Sequence, residues 1–124
     1  MVRHHSELEV WKRAHQLALD IYRVTQKFPG EERYGLIAQL RRAAVAIPAN
    51  LAEGGARQSR KEFLQFCYIA RGSASEIDYL LLVARDLGFL SQEDYGLLNP
   101  ESVRIARMLT TLIKSLRNNP PGSR

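Results

Sequence analysis

The sequence has one cysteine, Cys67, and only three histidines, His4, His5 and His15. A single cysteine excludes an internal disulfide and is typical of a cytoplasmic protein. Metal sites in helical bundles need inward-facing glutamate followed by histidine at Glu-x-x-His spacing. No histidine here follows such a glutamate. We therefore predict neither a metal nor a cofactor.

Motifs that mark enzymes and membrane proteins are also missing. The chain has no Gly-Lys-Ser/Thr phosphate loop. It lacks the arginine followed by histidine at four-to-six-residue separation that HEPN-type ribonucleases show. The first ten residues, MVRHHSELEV, contain no apolar leader region, and no apolar run approaches membrane-spanning length. These absences predict a protein that is not an enzyme and has no membrane partner.

No internal repeat and no alternating strand pattern is found, whereas apolar residues recur at helical spacing throughout. A chain of 124 residues with 45% apolar content can bury one hydrophobic core. We predict one all-α domain over residues 1–124, an antiparallel up-down four-helix bundle, with residues 1–5 and 118–124 as flexible ends. The helices are predicted near residues 6–27, 31–54, 59–88 and 91–117.

The first helix is predicted to open with a capping box of Ser6 and Glu9. Spacing predicts that its inner face consists of Leu8, Trp11, His15, Ala18, Tyr22 and Thr25. On that face His15 is expected to be a packed, hydrogen-bonded imidazole rather than a ligand.

The second helix carries two stripes. The apolar stripe consists of Leu36, Leu40, Ala43, Ala44, Ile47 and Leu51. A polar stripe lies about a quarter-turn away and consists of Gln39, Arg42, Ala46, Asn50, Glu53 and Arg57. It is either a solvated flank or a partly buried network against another subunit or a ligand. Pro48 predicts a bend, and Gly54-Gly55 is predicted to end the helix.

The third helix is predicted to be capped by Ser59 with Glu62 and to end at Gly88. Its core stripe is Phe63, Cys67, Ala70, Ala74, Ile77, Leu81 and Ala84. The opposite side carries a second stripe, Tyr68, Gly72, Tyr79 and Val83. In a monomeric bundle this outer stripe would face water, so it predicts a homo-oligomer with these four residues at the interface.

The fourth helix is predicted to be capped by Ser91 with Asp94. Asn99-Pro100 either bends one continuous helix or separates a short helix from a longer one, and the single bent helix is favoured. The last core face is predicted to consist of Ile105, Ala106, Leu109, Leu112, Ile113 and Leu116.

Several runs together resemble a known family. QLRRAAVAIPANLAEG is preceded by FPGEERYGL and followed by ARQSRKEF and IARGSASEIDYLL. This order is similar to the four-helix-bundle proteins encoded in intervening sequences of bacterial large-subunit ribosomal RNA genes. That family is itself similar to the accessory variability protein of diversity-generating retroelements. The resemblance covers nearly the whole chain, from LEVWKRAHQLALDIY to MLTTLIKSL, with Ala46 standing where the family usually has serine.

The resemblance implies a helical bundle that assembles as a ring-like homopentamer without established enzymatic activity. For the retroelement relatives it also implies binding to nucleic acid and to a reverse transcriptase.

Positive charge is unevenly distributed along the chain. The net charge is +5 overall, made of +5 over residues 33–61, −5 over residues 62–101 and +5 over residues 102–124. The candidate phosphate contacts are Arg41, Arg42, Arg57, Arg60 and Lys61. A second basic strip consists of Arg104, Arg107, Lys114 and Arg117.

Two functional interpretations are consistent with these basic residues. For both, the alternative is a basic face that only contacts water. One is an oligomeric accessory protein that binds the RNA or DNA backbone. The other is an assembly scaffold that binds a protein and makes no direct nucleic-acid contact. Polyanion binding weakens steeply with ionic strength, whereas an apolar protein interface does not.

Overall fold

The structure, a computed structural model, describes His5 and residues 8–118. Four helices account for most of this part of the chain, which contains no strand: α1 (Glu9–Thr25), α2 (Leu36–Gly55), α3 (Arg60–Asp86) and α4 (Gln92–Asn118). A 3-10 turn at Gly30–Glu32 precedes α2. The all-helical prediction is confirmed. None of the described helices is long and apolar enough to cross a membrane.

Each helix packs against two others: α1 and α3 both contact α2 and α4. Side-chain bonds fix the direction of each pair. The indole Nε1 of Trp11, early in α1, donates to the Pro48 carbonyl late in α2 at 3.2 Å. Between α3 and α4, Asn99 donates to Asp78 whereas Arg71 donates to Thr110, so residue numbers rise along one helix as they fall along the other. Consecutive helices are therefore antiparallel, as in an up-down bundle.

The core lies on the shared axis of the four helices. All six residues predicted for the apolar stripe of α2 are buried, and so are all seven of α3. In α4 three of the six predicted core residues, Ile105, Leu109 and Ile113, are buried, and the other three pack at the edge. Each fully buried large side chain of this kind contributes about 1.5–3 kcal/mol relative to its exposed state.

The predicted inner face of α1 was wrong in part. The buried residues of α1 are Val10, Ala14, Leu17, Ala18, Ile21 and Thr25. His15 is exposed and stacks on Trp11, with ring centroids 5.2 Å apart. Tyr22 is 42% exposed, and Trp11 is half-buried. Both rings carry a polar atom, which favours the edge of the bundle over its centre. Ser6, predicted to cap α1, lies outside the described residues.

Two predicted caps are confirmed. Ser59 Oγ accepts a hydrogen bond from the Glu62 amide at 3.0 Å, and Ser91 Oγ accepts one from the Asp94 amide at 3.0 Å. At the other end of α3, Gly88 has φ +81°. The Gly88 amide donates to the Arg85 carbonyl and the Phe89 amide to the Ala84 carbonyl. This pair of bonds is a Schellman motif, which explains why α3 ends where the sequence predicted.

The prediction that Gly54-Gly55 ends α2 is confirmed, although neither glycine is the C-cap residue. Both residues belong to α2, and Ala56, which follows, has ordinary right-handed geometry. Gly54 is buried where α2 meets α3, so a Cβ on it would lie 2.7 Å from the Cβ of Phe66. Gly54 is therefore required by the close approach of two helices.

Both internal prolines lie within continuous helices, Pro48 in α2 and Pro100 in α4. The favoured single helix through Asn99-Pro100 is thus confirmed. The predicted start of the second helix at residue 31 was early, because the 3-10 turn intervenes before Leu36. Of the predicted flexible ends, residues 1–4 and 119–124 lie outside the described residues, and Asn118 is the last residue of α4.

Candidate nucleic-acid interface

Helix direction brings the two basic segments to one end of the bundle. In an antiparallel order, the end of α2 and the start of α3 lie beside the end of α4. That end, called the basic end here, carries five cationic side chains from segments far apart in sequence. These are Arg57, Arg60, Lys61, Lys114 and Arg117. Convergence of this kind produces a patch of positive potential that neither segment has alone.

The cations of the basic end are accessible to solvent. Lys61, Lys114 and Arg117 are exposed, and Arg60 is half-buried. Arg57 forms an ion pair with Glu53 at 2.9 Å, and its guanidinium lies 5.1 Å from the Phe66 ring centroid. An exposed pair of this spacing stabilises a helix by only about 0.3–0.5 kcal/mol and is screened by salt. Arg57 is therefore weakly held and can exchange its carboxylate partner for a phosphate.

Arg41 is placed differently from the other candidate phosphate contacts. Its Nε donates to Thr25 Oγ1 at 2.9 Å and its Nη2 donates to the Tyr22 carbonyl at 3.2 Å. The guanidinium also lies 4.5 Å from the Tyr22 ring centroid. This cation thus donates to one carbonyl in the last turn of α1 and complements the helix dipole. Arg41 thus joins α2 to α1, a role that sequence spacing did not predict.

Arg42 is exposed but distant from the basic end. It lies roughly 18 Å from Gly54 along α2 at a rise of 1.5 Å per residue. Arg104, from the second basic strip, is exposed near the middle of α4. The structure therefore brings together five of the nine predicted cations and leaves the other four away from the basic end.

The polar stripe of α2 makes its bonds within its own helix. Asn50 Nδ2 donates to the Ala46 carbonyl at 2.7 Å, and Glu53 pairs with Arg57 one turn on. Gln39 is exposed. Within one chain these contacts fit the solvated-flank interpretation. The alternative, a network completed by another subunit, stays a prediction.

The predicted interface stripe of α3 presents an apolar surface without a partner in the described chain. Tyr79 is 65% exposed, Tyr68 and Val83 are half-buried, and no atom lies within 4 Å of a Cβ built on Gly72. Ile69 and Leu87, 53% and 60% exposed, extend this surface to one side. Three exposed apolar side chains, Ile69, Tyr79 and Leu87, thus lie along this side of α3.

Comparison with known proteins identifies the family. The model of the family described as "23S rRNA-intervening sequence protein" matches residues 6–111. The chain belongs to this family. It is similar to a protein of unknown function from the S23 ribosomal protein family of Bacteroides thetaiotaomicron VPI-5482, whose crystal structure was solved at 1.70 Å. The likeness has a TM-score of 0.76 and 26% sequence identity, and covers 85% of this chain and 98% of the other. No curated protein matches the chain.

In this member of the 23S rRNA-intervening sequence protein family, the one cysteine lies in the hydrophobic core. Burial raises the pKa of the Cys67 thiol to about 12, so the thiolate form is scarce at neutral pH. Residues 8–118 and His5 hold no cluster of three or more histidine, cysteine, aspartate or glutamate side chains that could bind a metal ion. Throughout the same region, buried polar side-chain atoms all have hydrogen-bond partners.

Proposed function

We propose that this protein is a non-enzymatic, oligomeric accessory protein that binds the phosphate backbone of RNA or DNA through its basic end. The observation that carries the proposal is the convergence of Arg57, Arg60 and Lys61 with Lys114 and Arg117 at one end of the bundle. Phosphate contacts of this type supply affinity without reading sequence. The resemblance to the retroelement accessory variability protein supports nucleic acid as the partner.

The opposite end of the bundle lacks a comparable surplus of positive charge. Its carboxylates are mixed with cations: Lys27 pairs with Asp94 and Arg85 pairs with Asp86. Charges of both signs close together largely cancel each other's field. Nucleic acid is therefore expected to favour the basic end.

Assembly is the second part of the proposal. The outer stripe of α3 would pack against another copy of the chain, and the family resemblance implies five copies in a ring. Repetition of one basic end around a ring multiplies a modest patch into a large one, which raises avidity without any new contact. The protein would act in the cytoplasm, where its single, buried thiol requires no oxidising environment.

A protein-binding scaffold with no direct nucleic-acid contact is the second candidate. The exposed apolar side chains of α3, Ile69, Tyr79 and Leu87, favour it, because a protein partner could cover them as well as another subunit could. In that case the basic end would pair with carboxylates of the partner or remain solvated.

Charge reversal at the basic end tests the proposal. The double variant Lys61→Glu/Lys114→Glu changes two exposed side chains for which the described chain shows no hydrogen bond or ion pair. We expect binding to single-stranded RNA at low salt to fall at least about tenfold, for all sequences alike, because two phosphate contacts become repulsive. Fluorescence anisotropy with two unrelated labelled oligonucleotides is the measurement.

The matched control is Arg23→Glu/Arg33→Glu, which reverses the same amount of charge toward the opposite end. Both side chains are exposed, and the Arg23 pair with Asp20 is a surface pair of small energy. The control should bind RNA nearly as the unmodified protein does. Equal loss of RNA binding in both double variants would show that only the net charge of the protein matters. Undiminished RNA binding by Lys61→Glu/Lys114→Glu would favour the protein-binding scaffold.

A further inference from the structure

A groove runs between α3 and α4, on the side of the bundle rather than at the basic end. Its volume is about 700 Å³. Small side chains, Ala74, Ser102 and Ala106, contribute to its lining, and Ser102 is held there by its bond to the Ala74 carbonyl. Small residues at the helix contact leave the space that larger ones would fill, so the groove follows from the sequence of both helices.

Two arginines line this groove from opposite helices, Arg71 from α3 and Arg107 from α4. Arg71 is half-buried, and its guanidinium lies 5.3 Å from the Tyr68 ring centroid. Its Nη1 donates to Thr110 Oγ1 at 3.4 Å, a long bond. Neither arginine has an ion pair with any described residue, whereas Arg13, Arg57 and Arg85 each do.

Most of the N–H donors of Arg71 are thus unused at the wall of a concave site. A guanidinium presents five donors in a planar fork that matches the oxygens of a phosphate. The hydroxyls of Ser75, Thr110 and Thr111 also line the groove and can donate to the same oxygens. The carboxylate of Asp78 lines it too, but accepts a hydrogen bond from Asn99 Nδ2.

We propose that the α3–α4 groove binds one phosphoryl group between Arg71 and Arg107. The source is either a free nucleotide or one phosphate of a bound nucleic-acid strand. The second source rests on the proposed function. Lys114 lies two helical turns beyond Arg107 on the same face of α4, about 10 Å away along the axis. A strand held at the basic end can therefore reach the groove within a few nucleotides.

The Tyr68 ring gives the site a second element. With the Arg71 guanidinium near its face, it is a platform on which a nucleobase can stack. Tyr68 and Gly72 belong to the predicted subunit interface as well, so the bound phosphate lies beside that contact.

The experiment is titration of the intact protein with inorganic phosphate at constant ionic strength, followed by the arginine side-chain Nε–H signals in NMR spectra. We expect the Arg71 and Arg107 signals to shift together with one dissociation constant. Arg71→Gln and Arg107→Gln should each weaken phosphate binding at least about tenfold, because each removes a charged donor set. The matched control Arg104→Gln, one turn away and outside the groove, should leave binding unchanged.

Two further titrations distinguish the sources and separate this inference from the proposed function. If adenosine monophosphate binds the groove but RNA does not bind the protein, the inference holds and the proposed function fails. If RNA binds and the Arg71→Gln/Arg107→Gln variant weakens it, the phosphate comes from the strand. Unshifted arginine signals at tens of millimolar phosphate, or equal phosphate binding by the double variant, would overturn the inference, whatever RNA does at the basic end.

Discussion

Gly54→Ala is expected to destabilise the protein by about 2 kcal/mol, lowering its melting temperature by roughly 8 °C. The added Cβ would lie 2.7 Å from the Cβ of Phe66 and 2.9 Å from Cδ1 of Phe63. An atom fixed to the backbone of Phe66 cannot rotate away, so α2 and α3 must separate. This cost exceeds the roughly 1 kcal/mol that alanine gains over glycine inside a helix. Thermal unfolding followed by circular dichroism at fixed protein concentration measures the effect.

The neighbouring glycine supplies the control. A Cβ on Gly55 would lie 3.8 Å from the Cβ of His5, an ordinary van der Waals contact. Gly55→Ala should therefore leave the melting temperature unchanged or raise it by a few degrees, since alanine is the better helix former. Equal effects of the two substitutions would contradict the close approach of α2 and α3 at Gly54.

Gly72→Glu is expected to convert the oligomer into a folded monomer of 14.1 kDa. In a single chain the position is open, because no atom lies within 4 Å of the added Cβ, and glutamate favours a helix more than glycine does. The monomer should keep its helicity. At a subunit contact the same carboxylate would be buried without a partner, which is strongly unfavourable. Light scattering after size exclusion at micromolar concentration gives the mass.

Gly96 offers a matched control on α4, since a Cβ there also meets no atom within 4 Å. Gly96→Glu adds the same charge and bulk outside the proposed interface and should leave the mass unchanged. Assembly would not use the outer stripe of α3 if Gly72→Glu kept the mass of the unmodified oligomer. A monomeric unmodified protein would refute the assembly proposal altogether.

The predicted core faces that agree best with the structure are those made of side chains without polar atoms. In α2 and α3 the stripes are aliphatic apart from Phe63 and Cys67, and burial is the only favourable state for such side chains. In α1 the prediction followed the helical spacing of Trp11, His15 and Tyr22. These lie on the flank, while smaller residues such as Ala14 and Leu17 face the core. Spacing alone was a weaker guide to burial than spacing combined with the absence of polar atoms.

Gly54-Gly55 shows where local rules are insufficient. Two adjacent glycines followed by polar residues have the composition of a helix end, and α2 does end at Gly55. The reason for Gly54 is nevertheless the distance to Phe63 and Phe66 in α3. That distance depends on how the two helices pack. The spacing of apolar residues within one helix carries no information about it.

Some features of the candidate site can be predicted from the sequence, and others require the folded structure. The basic end follows from the sequence, because an antiparallel order of four helices places residues 57–61 beside residues 114–117. The bond from Arg41 to Thr25 and the groove between Arg71 and Arg107 depend on the register between helices. Register is set by side-chain interdigitation across the core, so these features appear only in the folded chain.

The central claim is that the basic end binds nucleic-acid phosphates, and the salt dependence of binding tests it most directly. The measurement is the affinity of the unmodified protein for a single-stranded RNA over a series of potassium chloride concentrations. Each neutralised phosphate of a single strand contributes about −0.7 to the slope of log K against log salt. The account predicts a linear plot with a slope steeper than about −2, corresponding to at least three contacts. A slope near zero, or no binding even at low salt, would contradict it.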